Sequence, residues 1–73
     1  MTELSVFTHE GAPASYTTRD RHIVDAIRAQ VGAGESHFIE AHDLAQMVDD
    51  AELVDELLDM EEAHVVRIIF RPS

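Results

Sequence analysis

The sequence predicts a small α+β domain, three short helices with a small antiparallel sheet, on three observations. Val65 to Phe70 (VVRIIF) is β-branched and apolar with Arg67 interposed, the strongest strand signal in the chain. After Thr18, Ile23, Val24, Ile27 and Val31 fall at i, i+1, i+4 and i+8, the spacing of one helix face. Asp43 followed by Gln46, and Asp49 followed by Glu52, are each an acidic N-cap with a side chain three residues on able to close a capping box.

Taken in order, Leu4 to Thr8 (LSVFT) is short and partly alternating, with Leu4 and Val6 on one face and Phe7 opposed, which suits a strand. Gly11, Pro13 and Ser15 stop it. Thr17 and Thr18 are the candidate N-caps of a helix over Arg19 to Val31, which Gly32 and Gly34 end. His37 to Glu40 is expected to be a brief extended piece carrying Phe38 and Ile39 inward. Leu44, Met47 and Val48 then form one apolar face and Leu53, Val54, Leu57, Leu58 and Met60 the next, so two helices are favoured. The competing possibility is a single helix from Asp43 to Glu61, because no Gly or Pro interrupts it.

A chain of 73 residues is one domain at most. It has no cysteine, so packing or self-association must hold the fold together. Residues 1–17 are expected to be an N-terminal strand and loop extension to a domain over 18–73. No stretch approaches the ~20 apolar residues of a membrane span. The first residues show no basic region followed by an apolar one, so the protein reads as cytoplasmic.

The net charge of −10 argues against unaided binding to nucleic acid or an anionic membrane. That charge is concentrated: Ala29 to Val66 holds eleven acids and no base, while all five bases of the chain are arginines outside it. A lysine-free, acid-rich and alanine-rich composition resembles the cytoplasmic proteins of salt-accumulating archaea, in which ionic strength screens self-repulsion. A high-GC bacterial or phage source is the alternative.

Strand, helix, extended piece, two short helices and strand is also the element order of a winged helix-turn-helix domain with an N-terminal extension. Thr18-Arg19-Asp20-Arg21-His22-Ile23-Val24 resembles the opening of that family's first helix, and Asp43-Leu44-Ala45 the start of its second. Leu57 to Arg67 is similar to the end of its third helix leading into the wing strand. The resemblance covers about residues 18 to 71 and implies a winged-helix-like fold, used by the family for transcription regulation, DNA binding, protein interaction and dimerisation. The chain departs from the pattern in a short turn between the second and third helices, in His64 where a turn glycine is common, and in the little chain left after Phe70 for a second wing strand. Leu4 to Thr8 is therefore an alternative partner for Val65 to Phe70. The third helix, which would enter a DNA groove, offers Glu52, Asp55, Glu56 and Asp59, and these carboxylates repel phosphates.

No catalytic, cofactor or metal site is expected. His9, His22, His37, His42 and His64 lack any metalloprotease spacing, and at best Glu40 and His42 share a strand face. The pairs Asp49/Asp50 and Glu61/Glu62 point different ways on a helix. Ser5, Ser15, Ser36 and Ser73 lie in no nucleophile motif, and Gly32-Ala33-Gly34 follows a helix where a phosphate loop precedes one.

The sequence thus points to a non-enzymatic regulatory or protein-interaction module acting as a homodimer. Glu52, Asp55, Glu56 and Asp59 would face a protein partner, a basic one on charge grounds. Val65, Ile68 and Phe70, too apolar for an open sheet edge, would form the dimer contact. One alternative is a DNA-binding regulator working at high salt through Arg19, Arg21, Arg28, Arg67 and Arg71. Another is an acidic inhibitor whose Asp43 to Glu62 face mimics a phosphate ladder on a nucleic-acid-binding target.

Overall fold

The structure, a computed structural model, describes residues 1–72. Strands β1 (Thr2–Phe7) and β2 (Tyr16–Thr18) lead into helix α1 (Arg21–Val31). Strand β3 (Ser36–Glu40), helices α2 (Ala41–Ala45) and α3 (Ala51–Leu58) and strand β4 (Val65–Pro72) follow. The strands form one antiparallel sheet in the order β2-β1-β4-β3. Fold class is as expected, and the two-helix arrangement of 43–61 is the one adopted. The architecture is compatible with a small winged-helix-like domain in which β1 lies beside β4.

Side-chain alternation sorts the sheet into two faces. Leu4 and Val6 of β1 stand opposite Phe70 and Ile68 of β4, and Ile39 of β3 stands opposite Val66. With Val24 and Ile27 of α1, Leu44 of α2, and Leu53 and Leu57 of α3, these make the hydrophobic core, Ile39 packing at its margin. All three helices therefore pack on one face.

Local chemistry fixes the helix ends one or two residues from their expected places. Thr17 and Thr18 are held in β2, so Asp20 caps α1 and accepts from the His22 N–H at 2.9 Å, while Thr18 Oγ1 accepts from the Asp20 N–H. Gly32, at φ 82°, closes the helix with its N–H on the Arg28 carbonyl, a conformation that favours glycine. Asp50, and not Asp49, caps α3, accepting from the Glu52 and Leu53 N–H groups at 3.1 and 3.2 Å. Asp43 lies inside α2, whose cap is Glu40 with no side-chain hydrogen bond. Asp50→Ala is expected to cost about 1 kcal/mol. In a domain of this size that lowers the melting temperature by about 4–8 °C; an unchanged melting curve would show the cap to be idle.

Two expectations are corrected here. Residues 1–17 are not an extension, because β1 is an inner strand whose Leu4 and Val6 are fully buried. Nor do Val65, Ile68 and Phe70 line an open edge. β4 runs between β1 and β3, and Ile68 and Phe70 are buried in the chain's own core; Val65 alone of the three is exposed. The apolarity of that strand, which suggested a dimer contact, is explained by its central position.

Among the described residues no helix is long and apolar enough to cross a membrane.

Candidate functional site

The sheet face that carries no helix is the most distinctive surface of the molecule. Register places Phe7, Arg67 and Phe38 directly opposite one another across β1, β4 and β3. The next row on that face is Thr17, Ser5, Ile69 and Ser36, spanning all four strands, with Glu3 and Arg71 beyond it and Val65 and Glu40 at the other end. An antiparallel sheet with one solvated face is ordinarily polar there. Here Phe38 is 74% and Val65 53% exposed, and Ile69 is buried although it lies outside the helical core. The expected inward placement of Phe38 is thus overturned: adjacent strand residues point oppositely, and Ile39 takes the inward position.

Polar side chains frame this apolar centre. Arg67 Nε donates to Ser36 Oγ at 3.2 Å, which draws the guanidinium across β3 toward the sheet edge. Ser5 and Thr17 hydroxyls lie 3.4 Å apart, and Arg19 donates to Glu3 at 3.2 Å. Beside the Phe7–Arg67–Phe38 row lies a cleft of about 590 Å³, walled by these three residues with Val65 and closed by the turn Thr8 to Ala12 and by His64. His64 Nε2 lies 3.1 Å from the Thr8 carbonyl, and because a carbonyl only accepts, that nitrogen carries the proton. His9 meets the His64 ring edge-on at 6.2 Å. The turn is also tied to α3, since Thr8 Oγ1 donates to Glu56 at 3.3 Å.

Three of the five arginines gather on or beside the open face and two do not. Arg67 and Arg71 lie on the open face, Arg19 reaches it through Glu3, and Arg21 pairs with Asp25 at 3.6 Å along α1. Arg28 has a structural role: its guanidinium sits 3.9 Å over the Phe70 ring and donates to the Gly34 carbonyl at 2.6 Å, fastening the end of α1 to the start of β3. Arg19 and Arg21 line a second cleft of about 470 Å³ with Met1, Thr2, Val24 and Asp25, and both arginines are already paired, Arg21 with Asp25 of that wall and Arg19 with Glu3 outside it.

Glu52, Asp55, Glu56 and Asp59 are exposed on α3, in the helical layer behind the sheet, with no arginine paired to them among the described residues. The molecule is therefore two-sided, acidic over its helices and apolar with arginines over its open sheet. His42 and His37 direct Nε2 to the Met60 and Gly34 carbonyls at 3.0 and 3.1 Å. Among the described residues no three His, Asp or Glu side chains come together as a metal site would require. No family model, curated protein or solved structure matches the chain.

The sequence does not by itself bring Phe7 and Phe38 to one face of the sheet. The signal was strand alternation: Phe7 is opposed to Leu4 and Val6, and the same rule applied to Ile39 sends Phe38 outward.

Proposed function

We propose that the chain is a non-enzymatic regulatory or protein-interaction module, acting as a homodimer, that holds a partner protein on the open face of its sheet. The supporting observation is the Phe7–Arg67–Phe38 row, in which Phe38 and Arg67 are exposed and Phe7 half-buried, opposite a helical layer that already buries the core. Aromatic and arginine side chains are the residue types that anchor protein interfaces. Direct DNA binding fits less well, because Arg19 and Arg21 are paired with carboxylates, Arg28 is fastened over Phe70, and α3 carries exposed carboxylates where a groove-reading helix carries bases and amides.

A second possibility, an acidic inhibitor that occupies a basic nucleic-acid-binding site, is favoured by those same exposed carboxylates. One experiment separates the two. The tagged protein and two variants, Phe7→Ser on the sheet and the triple Asp55→Asn, Glu56→Gln, Asp59→Asn on α3, are used to capture proteins from extracts of the source cells. A partner of the open face is expected to be lost with Phe7→Ser and kept by the triple variant. The reverse pattern, on a basic protein, would replace the first proposal with the second.

A further inference from the structure

We infer that two copies of the chain join along the free edge of β3, in antiparallel register centred on Phe38, so that the two open faces become one continuous sheet surface. This rests on the homodimer proposed above and replaces the dimer contact expected at β4.

The backbone geometry carries it first. In an antiparallel pair, hydrogen-bonded and non-bonded residue pairs alternate. The Phe70 N–H donates to the Glu35 carbonyl at 2.7 Å and the Ala41 N–H to the His64 carbonyl at 2.8 Å, so the bonded pairs across β3 and β4 involve 35, 37, 39 and 41. The backbone groups of Ser36, Phe38 and Glu40 therefore turn away from β4 toward the free edge. A two-fold axis beside Phe38 lets the two Phe38 residues exchange N–H and carbonyl bonds, and lets each Glu40 N–H meet the Ser36 carbonyl of the partner subunit. The Glu40 carbonyl is the N-cap carbonyl of α2 and is already an acceptor there.

The side chains agree with that register. Natural edges are guarded by charged side chains, proline or bulges; β3 has no proline or lysine, and its one charge is Glu40 at its last position. On the open face the two Phe38 rings, each largely exposed in one copy, become neighbours. Glu40 lands beside Ser36 of the partner subunit, one strand spacing of about 5 Å away. That is the place toward which Arg67 already reaches, with its Nε on Ser36 Oγ, and Glu40 is unused by any capping bond. The pairing thus brings an arginine to a carboxylate twice and sets no like charges opposite one another.

The absence of cysteine makes the test clean. In potassium chloride high enough to screen the acidic layer, the wild-type protein should sediment as a dimer at tens of micromolar concentration. Phe38→Pro, which removes an outward N–H at an edge position that tolerates proline, should give a monomer with an unchanged circular dichroism spectrum. Phe38→Cys should cross-link to itself under mild oxidation, since a bonded antiparallel pair spaces Cα atoms about 5.5 Å apart. Ser36→Cys, which in this register faces position 40, should not. A dimer that survives Phe38→Pro, or cross-linking no faster at 38 than at 36, would overturn the edge pairing and leave the homodimer standing. A wild-type monomer would overturn both, without touching the partner site tested by Phe7→Ser.

Discussion

Leu4→Ala is expected to unfold most of the molecules in dilute buffer. Leu4 is fully buried on β1, in register with Phe70 on one side and Thr18 on the other, and it is among the largest side chains in the core. Truncating a buried leucine costs about 2–5 kcal/mol in lost transfer energy and residual cavity. At about 0.05–0.15 kcal/mol per residue, a domain of this length has a total stability of the same order. Acidic self-repulsion reduces it further at low salt. Removing residues 1–17 altogether should be at least as damaging, because it strips β4 of its neighbour from Arg67 to Pro72 and opens the core. Phe38→Ala, on an exposed side chain, should by contrast change monomer stability by about 0.5 kcal/mol or less. Urea unfolding followed by circular dichroism measures all three. A wild-type midpoint for Leu4→Ala would return β1 to the status of an appendage.

Where the sequence was informative, the signal was local. Val65 to Phe70 is a strand because β-branched residues pack well on a pleated surface, and α1 is a helix because its apolar residues share a face; both properties belong to the segment itself. The break between α2 and α3 was legible as a second acidic cap, displaced by one residue to Asp50. β2 was not legible, since its Tyr16-Thr17-Thr18 is too short for periodicity and is extended only because β1 pairs with it. That pairing takes Thr17 and Thr18 out of the capping position and leaves it to Asp20. The place of β4 in the sheet is likewise non-local. An apolar strand reads equally well as an edge awaiting a second copy or as a centre flanked by its own chain, and the position of Leu4 to Phe7 decides between them.

The candidate site shows the same division. Which residues of β3 face outward follows from alternation and was within reach of the sequence. That Phe7 and Phe38 sit on either side of Arg67 depends on two registers that join segments about thirty and sixty residues apart. The arginines are visible in the sequence, but their placement, with three at the open face and Arg28 fastened over Phe70, comes from tertiary packing. The acidic residues needed no packing to be read as exposed, because unpaired carboxylates stay in water.

That exposed layer sets the second large effect, a melting temperature that rises with potassium chloride. The acids from Asp43 to Glu62 crowd α2, α3 and their connections, while the arginine–carboxylate pairs lie at Arg19–Glu3 and Arg21–Asp25, outside them. Along α3 and its C-cap, Glu52/Glu56 and Asp55/Asp59 are like charges at i, i+4. Each such pair costs about 0.2–0.5 kcal/mol. Asp59 adds a negative charge at the helix C-terminus, where the backbone dipole is already negative and no base stands in the last turn. Near 0.1 M salt the Debye length of about 10 Å leaves these neighbours partly unscreened, and near 1 M it falls to about 3 Å. The folded state should therefore gain more from salt than a charge-balanced domain does. The triple variant Asp55→Asn, Glu56→Gln, Asp59→Asn should gain about 1 kcal/mol in dilute buffer, or about 4–8 °C. Glutamine at 56 retains an acceptor for the Thr8 hydroxyl, so the turn beside the cleft keeps its tie to α3. The advantage of the variant should shrink toward zero as salt approaches molar, because screening and neutralisation remove the same repulsion. Duplex DNA of random sequence should bind negligibly across that range, since added salt weakens whatever attraction the arginines exert. Melting curves of the two proteins that rise in parallel with salt would assign the salt effect to something other than this carboxylate layer. A wild-type melting temperature indifferent to salt would remove the physical ground for a salt-adapted protein.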